Sequence, residues 1–117
     1  LVEIVKFSCK KISKEELITC AFSLSRTEYN LLIFLLKSGK VHTVLQVSKA
    51  MKLERTTIQK AMKNLVEKGL VNKAQKNLAK GGYSFLYKPN NKDEIKGKMK
   101  KITHTWCKGV GEAIGNL

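Results

Sequence analysis

Acidic side chains are scarce in this chain. Nine Asp and Glu stand against 23 Lys and Arg, so the 117 residues carry a net charge of +14. An excess of that size points to a polyanion, nucleic acid ahead of an anionic membrane surface. It also makes an acidic small molecule a poor principal partner. Long apolar runs are missing as well: none reaches the roughly 18 residues that a membrane-spanning helix needs, so no membrane partner is expected. The start, LVEIVKFSCKK, offers no small-residue cleavage site behind a long apolar core and does not read as a signal peptide. With no initiator Met, the numbering reads as starting inside the encoded chain. Cysteine is sparse and odd in number. Cys9, Cys20 and Cys107 contain no CxxC spacing, which argues against a disulfide framework or a zinc ribbon and for a reducing cytoplasm. There is no Gly-rich phosphate loop, no G-x-S-x-G and no HExxH, so neither an enzyme nor a cofactor is expected. Proline occurs once, at Pro89, between two segments.

What is present is a regular set of helix starts. Apolar residues make up 43% of the chain, enough for one packed domain at this length. Ser13 with Glu16, Ser25 with Glu28, Thr43 with Gln46 and Asn91 with Glu94 have capping-box spacing or a close variant. They predict helices over about 14–22, from 26 to a stop at Gly39, from 44 to about 51, and from 92 toward 114. The second contains Leu31 to Leu36, apolar all round, an early hint of a partner subunit. After the turn Lys52-Leu53-Glu54, a further helix is expected from Arg55 to Lys68, ended by Gly69. Leu70 to Lys76 and Tyr83 to Tyr87 read as two strands joined by a glycine-containing loop. The first seven residues fit a strand, a helix extension or a loose arm.

Helix, helix, short turn, helix, hairpin is the order of a winged helix-turn-helix. In the helix from Arg55, Ile58, Ala61, Met62 and Leu65 fall at i, i+3, i+4 and i+7 and form the candidate buried stripe. The opposite face carries Thr56, Gln59, Lys60 and Lys63, with Arg55 and Thr57 at the start. Gln suits adenine, Arg and Lys suit guanine, and Thr suits phosphate or a thymine methyl. Thr43, at the start of the preceding helix, and Lys73, Lys76 and Lys80, in the hairpin, complete the candidate DNA-binding set. From Arg55 to Lys80 there are seven basic residues and one acid, Glu67.

At these residues the chain meets a known pattern. VSKAMKLERTTIQKAMKNLVEKGLV, residues 47–71, resembles the helix-turn-helix of archaeal TrmB-like and MarR-like transcription regulators. GGYSFLY, residues 81–87, is similar to their wing, and LSRTEYNLLIFLLKSGK, residues 24–40, fits their preceding helix. The resemblance covers about Leu24 to Lys88. It implies a dimeric, promoter-binding regulator of the archaeal cytoplasm. Two residues depart from the pattern: Lys52 stands in a turn where such motifs often have Gly, and Glu54 replaces a stronger cap. TrmB proteins often carry a separate sugar-sensing domain, for which this chain has no room, so sugar sensing is not carried over.

The expected fold is therefore mainly α with a small β-hairpin. A winged helix-turn-helix domain with an N-terminal helical extension occupies residues 1–90, and a long C-terminal dimerisation helix occupies 91–117. Ile95, Met99, Ile102 and Trp106 follow a heptad-like seam, with Val110 just beyond, and form the candidate dimer interface. The main reading is a homodimer that binds double-stranded DNA in a sequence-specific way. Its recognition helix lies in the major groove and its basic wing on the adjacent backbone. A sequence-neutral architectural or RNA-binding module, and a protein-interaction winged helix, stay open beside it. His104 and Cys107 lack further ligands in sequence reach, so no metal site is expected. Cys9 and Cys20 could act as a redox pair, but Cys20 is expected to pack as a small apolar residue. His42 is expected at the surface or in a turn. The residues name no effector.

Overall fold

The computed structural model describes residues 4–117, so Leu1 to Glu3 of the undecided N-terminal segment lie outside the described residues. The elements run β1 (Ile4–Lys6), β2 (Lys11–Ser13), α1 (Lys14–Phe22), α2 (Arg26–Ser38), α3 (Val44–Met51), α4 (Arg55–Glu67), β3 (Val71–Asn77), β4 (Tyr83–Pro89) and α5 (Lys92–Gly115). They form two compact units. Ser25–Asn91 makes one, and the described residues before Ser25 together with Lys92–Leu117 make the other.

The first unit is a winged helix. Three of the predicted capping boxes close as read, at Ser13–Glu16, Ser25–Glu28 and Thr43–Gln46, each pairing side chain to backbone in both directions. Gly39 ends α2 at φ 65°, where glycine carries no Cβ penalty. The core is built on the stripe of α4: Ile58, Met62 and Leu65 are fully buried and Ala61 nearly so, packed with Leu31, Leu32 and Leu35 of α2 and with Val47. The apolar run of α2 therefore needs no partner subunit to cover it. Its inner face meets α4 and β4, and Ile33, Phe34 and Leu36 are half-buried.

The turn between α3 and α4 shows why Lys52 is tolerated. It adopts the left-handed conformation at φ 57°, which costs a side-chain-bearing residue roughly 1–2 kcal/mol. Ser48, buried in α3, offsets this. Its hydroxyl donates to the Leu53 carbonyl, and its own carbonyl accepts from the Leu53 N–H at 3.1 Å. Glu54 makes no side-chain cap bond, as its weak capping type suggests.

Strands β3 and β4 pair antiparallel from Val71 opposite Pro89 to Asn77 opposite Tyr83. The wing is rooted twice. The Asn90 side chain donates to the Gly69 carbonyl at 2.8 Å, and the Asn90 N–H donates to the Leu70 carbonyl at 2.9 Å. Tyr87 exchanges backbone bonds with His42 at 2.9 and 2.8 Å. This corrects the expectation for His42, which serves as a one-residue third strand. Its ring is half-buried, 5.5 Å from Phe34 and within 3.3 Å of the Ser38 hydroxyl.

The second unit adds a hairpin that the sequence did not signal. Ile4 faces Ser13 and Lys6 faces Lys11, closed by reciprocal bonds between Phe7 and Lys10. Here α1 packs on α5, with Phe22 and Ile95 buried and Leu17 and Met99 lining one apolar groove. Cys20 is a correction. It is exposed, as are Cys9 and Cys107, and all three thiols are free. Among the described residues no helix is long and apolar enough to cross a membrane, and no cluster of His, Cys, Asp and Glu is placed to hold a metal.

Candidate nucleic-acid interface

Helix α4 turns one face into the core and leaves the other open. Arg55, Thr56, Gln59, Lys60 and Lys63 are exposed and Thr57 is half-buried. Residue 58 begins the buried stripe, so the intervening positions at 56, 59, 60 and 63 must point away from it. Between this face and the wing runs an open groove of about 600 Å³. Thr56, Thr57, Gln59, Lys60 and Lys63 line it from α4, and Lys73 lines it from β3. Tyr87 adds to it at the wing root, and Glu67 is the one acid on its walls. Tyr87 was not among the expected site residues. Burial pushes its phenol above its ordinary pKa, so it faces the groove as a neutral hydroxyl.

The strand register explains the wing side of the groove. Lys73, Gln75 and Asn77 face Tyr87, Phe85 and Tyr83, so these six alternate positions share one face of the hairpin. Lys73 Nζ lies 3.9 Å from the centre of the Phe85 ring, a cation–π contact that holds the ammonium in place. Tyr83 meets Phe85 edge to face at 5.3 Å. The aromatics grade from a buried Tyr87 to an exposed Tyr83, so they anchor the wing at its root and are free at its end. Lys76 and Lys80 are exposed near the tip, outside the groove. Thr43 is also apart from it, half-buried, with its oxygen accepting the Gln46 N–H at 3.2 Å as the cap of α3.

The pose of α4 depends on a buried carboxylate. Glu28 Oε2 accepts from the Asn64 amide at 2.7 Å, Oε1 accepts from the Ser25 N–H at 3.1 Å, and Lys68 Nζ lies 3.8 Å away. Burial is the largest single influence and pushes this carboxyl up. The Asn64 and Ser25 bonds and the Lys68 charge together outweigh it and hold the group below its usual value. Glu28 thus clamps the last turns of α4 to the start of α2.

The candidate dimer residues stand differently from one another. Ile95 is buried within its own unit and offers a partner little surface. Met99 and Val110 are half-buried, while Ile102 is 38% and Trp106 is 60% exposed.

A core-backed helix with a free polar face, beside a basic two-stranded wing, defines a winged helix-turn-helix transcription regulator. A sequence model described as "Sugar-specific transcriptional regulator TrmB" matches residues 19–93, and the chain belongs to that family of DNA-binding regulators. A possible transcriptional regulator from Methanosarcina mazei Go1 superposes with a TM-score of 0.90 at 30% identity, covering 97% of this chain and 95% of that one. The ST1889 protein of Sulfolobus tokodaii shares the fold at a TM-score of 0.70 and 19% identity, over 83% of this chain and 94% of that one. An uncharacterised protein of Methanocaldococcus jannaschii is 26% identical over 114 residues, which is 97% of this chain and 86% of its own. The family is one of transcription regulators rather than enzymes, and the first of these neighbours is described as a possible one.

Proposed function

We propose that this regulator binds double-stranded DNA sequence-specifically as a homodimer, with α4 in the major groove and the wing on the neighbouring backbone. The observation that carries this reading is the shared groove. Five polar or basic side chains of α4 converge there with Lys73, on a helix whose other face is locked into the core. Gln59 and Lys60 read base edges. Arg55, Thr56 and Thr57 hold phosphate near the helix N-terminus, where free N–H groups favour an anion. Lys63 and Lys73 neutralise the strand that passes between helix and wing, while Lys76 and Lys80 meet phosphates farther out. The Thr43 hydroxyl keeps its proton to donate to phosphate while its oxygen caps α3. The second copy joins through α5, where Ile102, Trp106 and Val110 supply the open part of the seam. An isologous pair then sets two recognition helices about one DNA turn apart.

The test is fluorescence anisotropy on a cognate and a scrambled duplex across a salt series. A specific site binds about a thousandfold or more tighter than random DNA. Gln59→Ala and Lys60→Ala each cost about 1–3 kcal/mol on the cognate duplex and relax its preference. Lys80→Ala weakens both duplexes alike and reduces the salt slope by about one. Equal losses for all three variants on both duplexes would favour a sequence-neutral binder instead.

A further inference from the structure

The wing, Val71 to Pro89, contains no acid and four lysines. One large apolar side chain stands out within it. Leu78 is 48% exposed and lies beyond the paired ladder, which ends at Asn77 opposite Tyr83. Lys76 and Lys80 flank it, each two residues away. A single exposed leucine is ordinary on a protein surface. This one differs because its backbone is fixed. The Leu78 N–H donates to the Gly82 carbonyl at 3.0 Å, and the Gly81 N–H donates to the Leu78 carbonyl at 3.1 Å. Gly81 and Gly82 turn the chain at φ 89° and 80°, a region that residues with a Cβ rarely enter. The tip therefore holds an apolar side chain out in water between two cations.

Its reach suits one place on a duplex. From the root at Tyr87 to Tyr83 the wing extends about 13 Å, and the tip continues past that. A major groove is about 12 Å wide. With α4 seated in that groove, the wing crosses the phosphate rail and its tip arrives at the adjacent minor groove. The lysines there meet phosphates, and Leu78 meets the stacked base edges. Leucine is one of the side chains that enter such steps, part them and bend the duplex toward the major groove. Pyrimidine–purine steps yield most easily to this.

Resting on the duplex reading above, we propose that Leu78 is an apolar wedge that enters the minor groove beside the recognition helix and kinks the DNA. The wing thereby selects a flexible pyrimidine–purine step at the flank of the site, a position that no hydrogen-bonding side chain reads.

The experiment uses duplexes of about two helical turns, selected from a random pool by the wild-type protein and carrying a dye at each end. Anisotropy reads binding, and energy transfer between the dyes reads bending. The wild type is expected to bind, to raise the transfer, and to prefer a TA or CA step at the flank about tenfold. Leu78→Ala is expected to melt like the wild type and to lose about tenfold in affinity on the TA- or CA-flanked duplex, falling to the level of the other flanks. Its complex leaves the transfer at the free-duplex level and loses the flanking preference. Wild-type binding without a rise in transfer, or a rise that survives in Leu78→Ala, overturns the wedge alone. A pool from which no duplex is enriched overturns the duplex reading and the wedge with it.

Discussion

Helices α4 and α5 both carry lysines, and both carry apolar residues at spacings of three and four. In α4 the stripe Ile58, Ala61, Met62 and Leu65 is between 0 and 4% exposed. In α5 only Ile95 is buried, while Ile102, Trp106 and Ile114 are open. The repeat tells that a helix has two faces; it does not tell which neighbour covers the apolar one. In α4 the core takes the apolar face, so the polar face is left to meet an outside partner. In α5 only part of the apolar face is covered, by α1, and the open part is the surface the proposed homodimer uses.

The largest test of this contrast pairs one substitution in each helix. Leu65→Ala removes a fully buried side chain and should cost about 2–5 kcal/mol in urea unfolding. Trp106→Ala should leave protomer unfolding nearly unchanged and weaken self-association by about thirtyfold or more in sedimentation. If Trp106→Ala unfolds the protein as Leu65→Ala does, the open stripe is structural and the contrast breaks.

A middle-sized effect sharpens the account of α4. Glu28→Ala strips Asn64 and the Ser25 N–H of their acceptor and should cost about 2–3 kcal/mol. The ionised carboxylate is the form its partners favour, so its folded-state pKa lies below the usual 4.5. Its contribution is complete above that usual value and fades as pH falls through the folded-state value. Acid melts of Glu28→Gln should accordingly lose less stability below about pH 4.5 than those of the wild type. The smallest effect belongs to the turn. Lys52→Gly relieves the left-handed strain and should raise stability by about 0.5–1 kcal/mol with duplex affinity unchanged. A loss of affinity there would place Lys52 in the interface.

Features set by near neighbours in the chain were legible. The caps at Ser13, Ser25 and Thr43, the buried stripe of α4, the glycine stop at Gly39 and the strands on either side of Leu78–Gly82 all follow from residues a few positions apart. Most of the groove followed too, since one helix face supplies five of its lining residues. What escaped depends on distant pairs. Asn64 finds Glu28 across 36 positions, and His42 finds Tyr87 through backbone bonds that leave no side-chain pattern. The β1–β2 hairpin escaped for another reason. Its strands are three residues long, too short to show alternation, and its turn, Phe7 to Lys10, contains neither Gly nor Pro. At Cys20, position in the helix overrides apolar type. It lies four residues after Glu16, on the polar side of α1.

The single-residue bridge between His42 and Tyr87, together with the Asn90 bonds to Gly69 and Leu70, makes the wing a lever whose fulcrum is its root. Over an arm of about 13 Å, a tilt of about 4° at the fulcrum carries the far end through about 1 Å. Phe34 and Ser38, which brace the His42 ring from behind, then act as steering points. Exchanging them is expected to redirect where the wing lands on a duplex, so target preference can drift through residues behind the wing root while the groove-lining residues stay the same.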